Sequence, residues 1–372
     1  MIVGIPGERW GEERRVALTP AGVHSLSAAG LKVIVQSDAG AGCGFSADAY
    51  REAGAAIVFS AEEVFARADL IVKVMPPTLE ECAWIGEGKF LFSVVHLGSA
   101  DPEIHRRLRQ LAITAVGLEL IEESDNLLPV TKAMSEIAGM LVPQIAGRFL
   151  ETTHGGRGVL LGGVPGIPSS HVVIVGAGTA GTTAAHVFIG YGASVTVMDN
   201  DLRRLRAVDA HLPKTVNTAL ANSYNIERYV TSADVVLGAV LVHGEPTPHI
   251  ISESMVQKMR PGTVIIDLSI DQGGCVETSR PTTLSDPVFK KHGVTHFCVP
   301  NVPSSVARTA SHALNNVVEP FVRDIGENGM ESFKSNSALR RGLYLFSGHC
   351  THQGLAGLLG CEYSHIDALL NT

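Results

Sequence analysis

The chain has 372 residues, a formal net charge of −8 at pH 7, 45% hydrophobic residues and 39 glycines. That length holds two domains of ordinary size, and the apolar, glycine-rich composition suits an α/β enzyme whose strands are covered on both faces. The acidic balance argues against a nucleic-acid or anionic-membrane partner, so an anionic substrate has to be met by local cations.

The first third alternates short apolar runs with helical patterns. Residues 2–5 read as a strand, and Thr19-Pro20 as the N-cap and first position of a helix that Gly30 closes. Residues 32–36 form the next strand, and Ser46 caps a helix through Ala53. Strands at 70–74, 90–95 and 114–116 follow, with a helix at 102–111 between the last two. This is an open α/β sheet, and such sheets place their chemistry at the carboxyl ends of strands. Lys73 ends one strand, His96 directly follows another in FSVVHLG, and Arg15 lies after the first in EERRVALTP. Each alone also reads as an edge charge or a structural histidine; together on one edge they predict a shared site.

A helical pattern at 134–149 leads away from this sheet, with Ser135 and Glu136 at its start. Ser135 reads either as a cap or as a hydroxyl turned into a cleft. A glycine-rich stretch, 155–166, then enters HVVIVGAGTAGTTAAHVFIGYGASVTVMD, residues 171–199. An apolar strand delivers Gly176, Gly178 and Gly181 in G-x-G-x-x-G spacing, a small-residue helix follows, and a second strand ends on Asp199. In that context the glycines predict a dinucleotide-binding βαβ unit. Gly176 permits the tight turn, Gly178 lets the backbone approach a pyrophosphate, and Gly181 lets helix and strand pack closely. Asp199 is placed to accept the adenine-ribose hydroxyls and would repel a 2′-phosphate, which favours NAD over NADP. Arg203 and Arg204 read as adenosine-side contacts or as a solvated helix face.

Beyond Asp199, strands are expected at 234–239, 263–268 and 296–299. In DLSIDQGG, Asp267 falls within the sheet edge and Asp271 on a tight turn beyond it, an Asx-turn residue or a group facing the crevice. The cofactor candidates are Thr179 and Ala180 of the glycine loop and Val240, Leu241, Leu268, Ser269, Ile270, Val299, Asn301 and Val302 at or after strand ends. A long helix at 310–326 returns the chain to the first domain. The tail carries His349, Cys350 and His352, but with no carboxylate nearby it reads as an ordinary terminal segment, and no metal is expected.

No Asp, Glu, Lys or Arg occurs between Arg157 and Asp199, yet Pro165, Pro168 and the glycines break any membrane helix there. Met1 to Ile5 is strand-like and soon meets Glu8, Arg9, Glu12 and Glu13, so no signal peptide is expected. The cysteines, Cys43, Cys82, Cys275, Cys298, Cys350 and Cys361, lack C-x-x-C spacing, which suits a reducing, cytoplasmic compartment. The expected architecture is a Rossmann NAD-binding domain, residues 134–307, inserted in a second Rossmann-like, doubly wound α/β catalytic domain formed by residues 1–133 and 308–372.

With these residues assembled, the chain resembles the alanine dehydrogenase branch of the alanine dehydrogenase and pyridine nucleotide transhydrogenase family, from Met1 to about Asn316. The resemblance rests on RVALTPAGV at Arg15, VKV at Lys73, VHL at His96, MSEIAG at Ser135, GGRGVLLGGVPG, IDQGGCVETSRPTT from Ile270 and VPNVPSSVARTASHALNN from Val299. It implies a cytoplasmic oxidoreductase of amino-acid metabolism that oxidatively deaminates a small L-amino acid with NAD, reversibly, releasing a 2-oxo acid and ammonia. It implies Arg15 as the substrate-carboxylate arginine, Lys73 as the substrate-site lysine, His96 as acid/base and Asp271 as the second catalytic residue. Ser135, Asp199, Arg204, Arg280 and Asn301 match positions that contact NAD, and family members assemble as homohexamers. The chain departs from the family at Gly7-Glu8, Met75-Pro76-Pro77, Gly98-Ser99, Ala133 and Ser304-Ser305. Two other readings stay open at this point. One is a transhydrogenase component that only binds NAD(H); the other is an imine-reducing relative of the carboxyethylornithine synthase or saccharopine dehydrogenase kind.

Overall fold

A computed structural model describes residues 1–95, 101–242 and 247–370. The first strands are β1 (Ile2–Ile5), β2 (Lys32–Gln36), β3 (Ala56–Val58), β4 (Leu70–Val72), β5 (Phe90–Ser93) and β6 (Thr114–Gly117). All pair in parallel, with Val3 opposite Val33 and Leu70, and Ile71 opposite Leu91. The runs IVGI and LIV are apolar throughout because both faces are covered. Leu70 and Val72 face a core built with Leu26 and with Leu314, Val318 and Ile325 of the helix Ala307–Asn328. Ile71 faces the opposite core, with Val64, Phe65, Ile104 and Leu108.

The second sheet contains β7 (His171–Val175), β8 (Ser194–Asp199), β9 (Asn217–Leu220), β10 (Val235–Gly238), β11 (Val264–Asp267), β12 (Val288–Lys291) and β13 (Val294–Phe297). Its order is β12-β13-β11-β10-β7-β8-β9, with only β12 antiparallel. The chain order reverses at β7, where the strands diverge to β8 on one side and β10 on the other, as in a doubly wound nucleotide-binding sheet. Two late strands, β14 (Leu343–Phe346) and β15 (His349–Cys350), then add antiparallel to the β6 edge of the first sheet, giving the order β15-β14-β6-β5-β4-β1-β2-β3.

The chain divides into two compact units, Met1–Met134 with Ser304–Thr372, and Ser135–Pro303. The second unit is thus inserted in the first, and the chain re-enters the first at Ser304 rather than at residue 308. Two further differences from the sequence reading matter for the site. The helix expected from residue 134 begins at Pro129 and runs to Leu150, because proline is tolerated in a first turn where its missing N–H has no intrahelical partner. Ser135 therefore stands inside the helix, and the capping role does not apply. The tail, read from sequence as an ordinary terminal segment, contributes a strand: LYLF is buried and laddered to β6. Among the described residues, no helix is long and apolar enough to cross a membrane, and no cluster of His, Cys, Asp and Glu is placed to hold a metal ion.

Candidate active site

In the first unit, the segment after β1 carries the polar groups. Arg15 is buried, and Glu13, two residues before it, grips its guanidinium along one edge, with Nε donating to Oε1 at 2.8 Å and Nη2 to Oε2 at 2.7 Å. This fork-to-fork pairing fixes the plane of the guanidinium, whose Nη1 points to the Met134 sulfur at 3.3 Å. The Ser304 hydroxyl reaches Glu13 Oε1 at 3.2 Å and accepts from the Arg14 N–H at 3.3 Å. One of the departures from the family pattern thus supports the acid that holds Arg15.

Lys73 follows β4 directly, and its N–H still joins the ladder to the Phe92 carbonyl at 2.8 Å. Its side chain is fully enclosed. Nζ donates to Glu81 Oε1 at 2.8 Å and lies 3.8 Å from Glu8 Oε2 and 5.7 Å from the Phe65 ring centroid. Glu8 in turn accepts the Val74 N–H at 2.7 Å and the Met75 N–H at 3.3 Å. Its carboxyl is pushed up to about 7 by burial, against the pull of Lys73 and these two donors. Two neighbours tie the same segments together: Trp10 Nε1 donates to the Pro76 carbonyl at 2.6 Å, and Arg9 pairs with Glu80 and lies over the Trp84 ring. The Pro76 departure is met by this strap. His96 lies outside the described residues; the Val95 N–H before it donates to Glu119 Oε1 at 2.8 Å.

The second unit forms a cofactor cradle whose first and third glycines are sterically required. Gly176 has φ +112, and a methyl group there would lie 2.2 Å from the Ala239 carbonyl oxygen. At Gly181 it would lie 1.9 Å from the Gly176 carbonyl oxygen, whereas at Gly178 it would meet open space. The helix Thr179–Gly190 starts at Gly178 with no side-chain cap, so the N–H groups of Thr179, Ala180 and Gly181 are left for a ligand of negative charge. At the end of β8, Asp199 Oδ2 accepts the Ala177 N–H at 2.8 Å and Oδ1 the Asp201 N–H at 2.8 Å, with Arg204 3.6 Å away. Arg203 instead turns to Asp201. The glycine loop, the uncapped helix start and the carboxylate fit a dinucleotide.

The remaining candidates divide by role. The buried Ser269 hydroxyl accepts the Val240 N–H at 3.0 Å, fixing the chain after β10. Leu268–Gln272 form a 3-10 helix that ends on Gly273 at φ +97, where the sequence reading places a tight turn. Asp271 is exposed, and its carboxylate accepts the Asn301 N–H at 3.2 Å. Asn301 itself is held at φ +56, a conformation that costs energy for a residue other than glycine and recurs at functional sites. Ile270, Val299 and Val302 are buried, Leu268 and Val240 half-buried and Leu241 exposed. The Arg280 guanidinium lies 4.3 Å over the Phe289 ring. Ser135 is half-buried within its helix.

Glu8, Glu13, Glu81 and Ser304 were absent from the sequence-derived site. A signal existed for one of them, since Thr78-x-x-Glu81 is a capping-box pattern beside Lys73.

Models of the alanine dehydrogenase/PNT N-terminal and C-terminal domains match residues 4–138 and 142–353. The chain belongs to the alanine dehydrogenase/PNT family. It is similar to alanine dehydrogenase of Staphylococcus haemolyticus, 41% identical over 372 residues, covering 100% of this chain and 99% of the relative. It is also 42% identical to alanine dehydrogenase of Bacillus subtilis, covering 98% and 96% of the two chains. A solved L-alanine dehydrogenase superposes with a TM-score of 0.92 at 39% identity, over 97% of this family member and 99% of that chain. A transhydrogenase from Sinorhizobium meliloti, at 21% identity and a TM-score of 0.79, shares the fold.

Proposed function

We propose that this chain catalyses the reversible NAD-dependent oxidative deamination of L-alanine, in which alanine, NAD⁺ and water give pyruvate, NADH and ammonium with release of a proton. The observation that carries the reading is the enclosed pair of cations, Arg15 and Lys73, at one sheet edge of a chain about 41% identical throughout to alanine dehydrogenases.

Glu13 occupies one edge of the Arg15 guanidinium, so the substrate carboxylate takes the edge that remains. Lys73 places positive charge against the substrate's carboxylate or carbonyl oxygen. Bound NAD supplies the hydride acceptor that turns the amino acid into an imino acid. His96 then removes a proton from the water that adds to the imino carbon and returns it to the departing nitrogen, a task suited to a group that titrates near neutral pH. Asp271 is the second catalytic residue, assisting these proton transfers. Gly176, Gly178, Gly181, Thr179 and Ala180 hold the pyrophosphate, and Asp199 the adenine ribose, which selects NAD over NADP. The protein works in the cytoplasm as a homohexamer, a compartment that suits its six free thiols.

The test follows NADH absorbance with L-alanine, glycine, L-serine, L-ornithine and L-lysine, and in reverse with pyruvate plus ammonia or plus a second amino acid. Turnover with alanine, and ammonia-dependent NADH oxidation, are expected. Oxidation that needs a second amino acid in place of ammonia would replace this reading by imine reduction. His96→Ala is expected to abolish turnover while NADH still binds.

A further inference from the structure

The Lys73 ammonium lies between two carboxylates that are held in different ways. Glu81 is committed at both oxygens, Oε1 to Lys73 Nζ at 2.8 Å and Oε2 to the Thr78 N–H at 2.8 Å. Glu8 stands off at 3.8 Å from Nζ, and one of its two backbone contacts is long, 3.3 Å from the Met75 N–H. The three side chains are shut from water, Lys73 and Glu81 at 0% exposure and Glu8 at 3%. Among the described residues, the charged groups facing Glu8 are Lys73 after β4, Glu81 on the short helix Leu79–Cys82, and Glu13 with its partner Arg15 on the segment after β1. The Glu13 and Arg15 charges offset one another, so around Lys73 two carboxylates face one ammonium.

A substrate carboxylate drawn to Lys73 adds another negative charge to that enclosed cluster. In a medium of low dielectric the carboxylates cannot all stay ionised, and the group least committed to donors takes the proton. Protonating Glu81 would sacrifice a charge-assisted bond to Lys73 or the helix cap. Glu8 loses least. We propose that Glu8 is a positioning residue that takes up one proton from solvent as the substrate carboxylate binds, releasing the Lys73 ammonium from its ion pair with Glu8 so that it turns to the ligand. This rests on the reading of Lys73 as a substrate residue. The proton is returned when the ligand leaves, so none is consumed over a cycle. The free carboxyl, pushed up to about 7 by burial, is already poised near neutrality.

Oxamate, an unreactive mimic of pyruvate, tests this by calorimetric titration of the NADH-loaded protein in pairs of buffers with different ionisation heats. A His96→Gln background removes the imidazole as a source of protons. Near pH 8 about one proton is taken up per site, falling toward none near pH 6, and affinity weakens by up to about tenfold per pH unit above about pH 7. Glu8→Gln abolishes the uptake and flattens the affinity profile. No uptake with Glu8 intact, a measurement that needs no Glu8 variant to fold, or the same uptake in Glu8→Gln, overturns the proposal. Lys73→Ala separates the two readings. If it binds oxamate as tightly as the parent, the substrate role of Lys73 falls and the Glu8 proposal with it. If it loses binding while Glu8→Gln keeps the uptake, the Glu8 proposal falls alone.

Discussion

The Asp199 carboxylate fastens the glycine loop through Ala177 and the next helix through Asp201, and retains acceptor capacity for ribose hydroxyls. Asp199→Asn keeps the shape, removes the charge and turns one acceptor into a donor that opposes a backbone N–H. The ratio of kcat/KM for NAD over NADP is expected to fall by roughly tenfold or more, as one lost charge interaction of 1.4 kcal/mol or above would give; an unchanged ratio would remove Asp199 from cofactor selection. The glycines, Asp199 and Lys73 were legible because each sits at or soon after a strand end, and strand ends are marked by composition, whereas Arg15 was read from its place in the long segment after β1. Glu13 was visible as a residue but not as a clamp, since nothing in sequence says that a side chain two positions away folds back onto Arg15. Ser304 reaches the same carboxylate from the far end of the chain, and only the fold brings it there.

Short elements also serve the site through their ends. The helix Leu79–Cys82 has one turn, yet Thr78 and Glu81 form a complete capping box, and the other oxygen of Glu81 holds Lys73. Cap and clamp are therefore one carboxylate. Thr78→Ala is expected to cost about 1 kcal/mol, the usual worth of an N-cap. Glu81→Ala leaves the enclosed ammonium with Glu8 alone and is expected to cost about 3–5 kcal/mol. Urea unfolding of both variants checks the order, and equal losses would show that the lysine contact adds nothing to the cap. The parallel strands were legible as continuous apolar runs, and although β4 ends at Val72, the ladder continues through Lys73 and Val74 as the longer reading implied. The antiparallel edges were not legible. The strand VFKK of β12 has no apolar run and is held by a turn at His292 and Gly293, both at positive φ, while β14 depends on an exposed β6 edge that sequence does not display.

For the molecule as a whole, buried titratable groups outside the site set the acid limit, and among the described residues each unit contains a histidine pushed down to about 4. In the first, His105 lies edge-on to Tyr344; in the second, His296 is stacked on Phe289, with Nε2 2.7 Å from the Thr278 hydroxyl and Nδ1 3.1 Å from the Val294 carbonyl. A carbonyl at Nδ1 requires the proton there, so in the neutral ring Nε2 accepts from the Thr278 hydroxyl. Burial lowers both to about 4 from an ordinary value of 6.5. The folded state thus binds these protons more weakly than the unfolded chain, so the stability they contribute is complete above about pH 6.5 and is lost as pH falls toward about 4. Glu8 acts in the opposite sense: raised to about 7, it is protonated in the folded state and ionised in the unfolded one between about pH 4.5 and 7, so its contribution grows as pH falls. Between about pH 4.5 and 6.5 the two histidines outweigh the one carboxyl by about one proton, and these three groups together cost roughly 1.4 kcal/mol of stability per pH unit of acidification. His171 and His352, also lowered by burial, add to the loss. His105→Gln and His296→Gln are each expected to flatten the dependence of unfolding free energy on pH in this window by about one proton, whatever they cost at neutral pH. Urea unfolding at a series of pH values measures that slope directly, and a slope unchanged in both variants would place the acid limit on other groups.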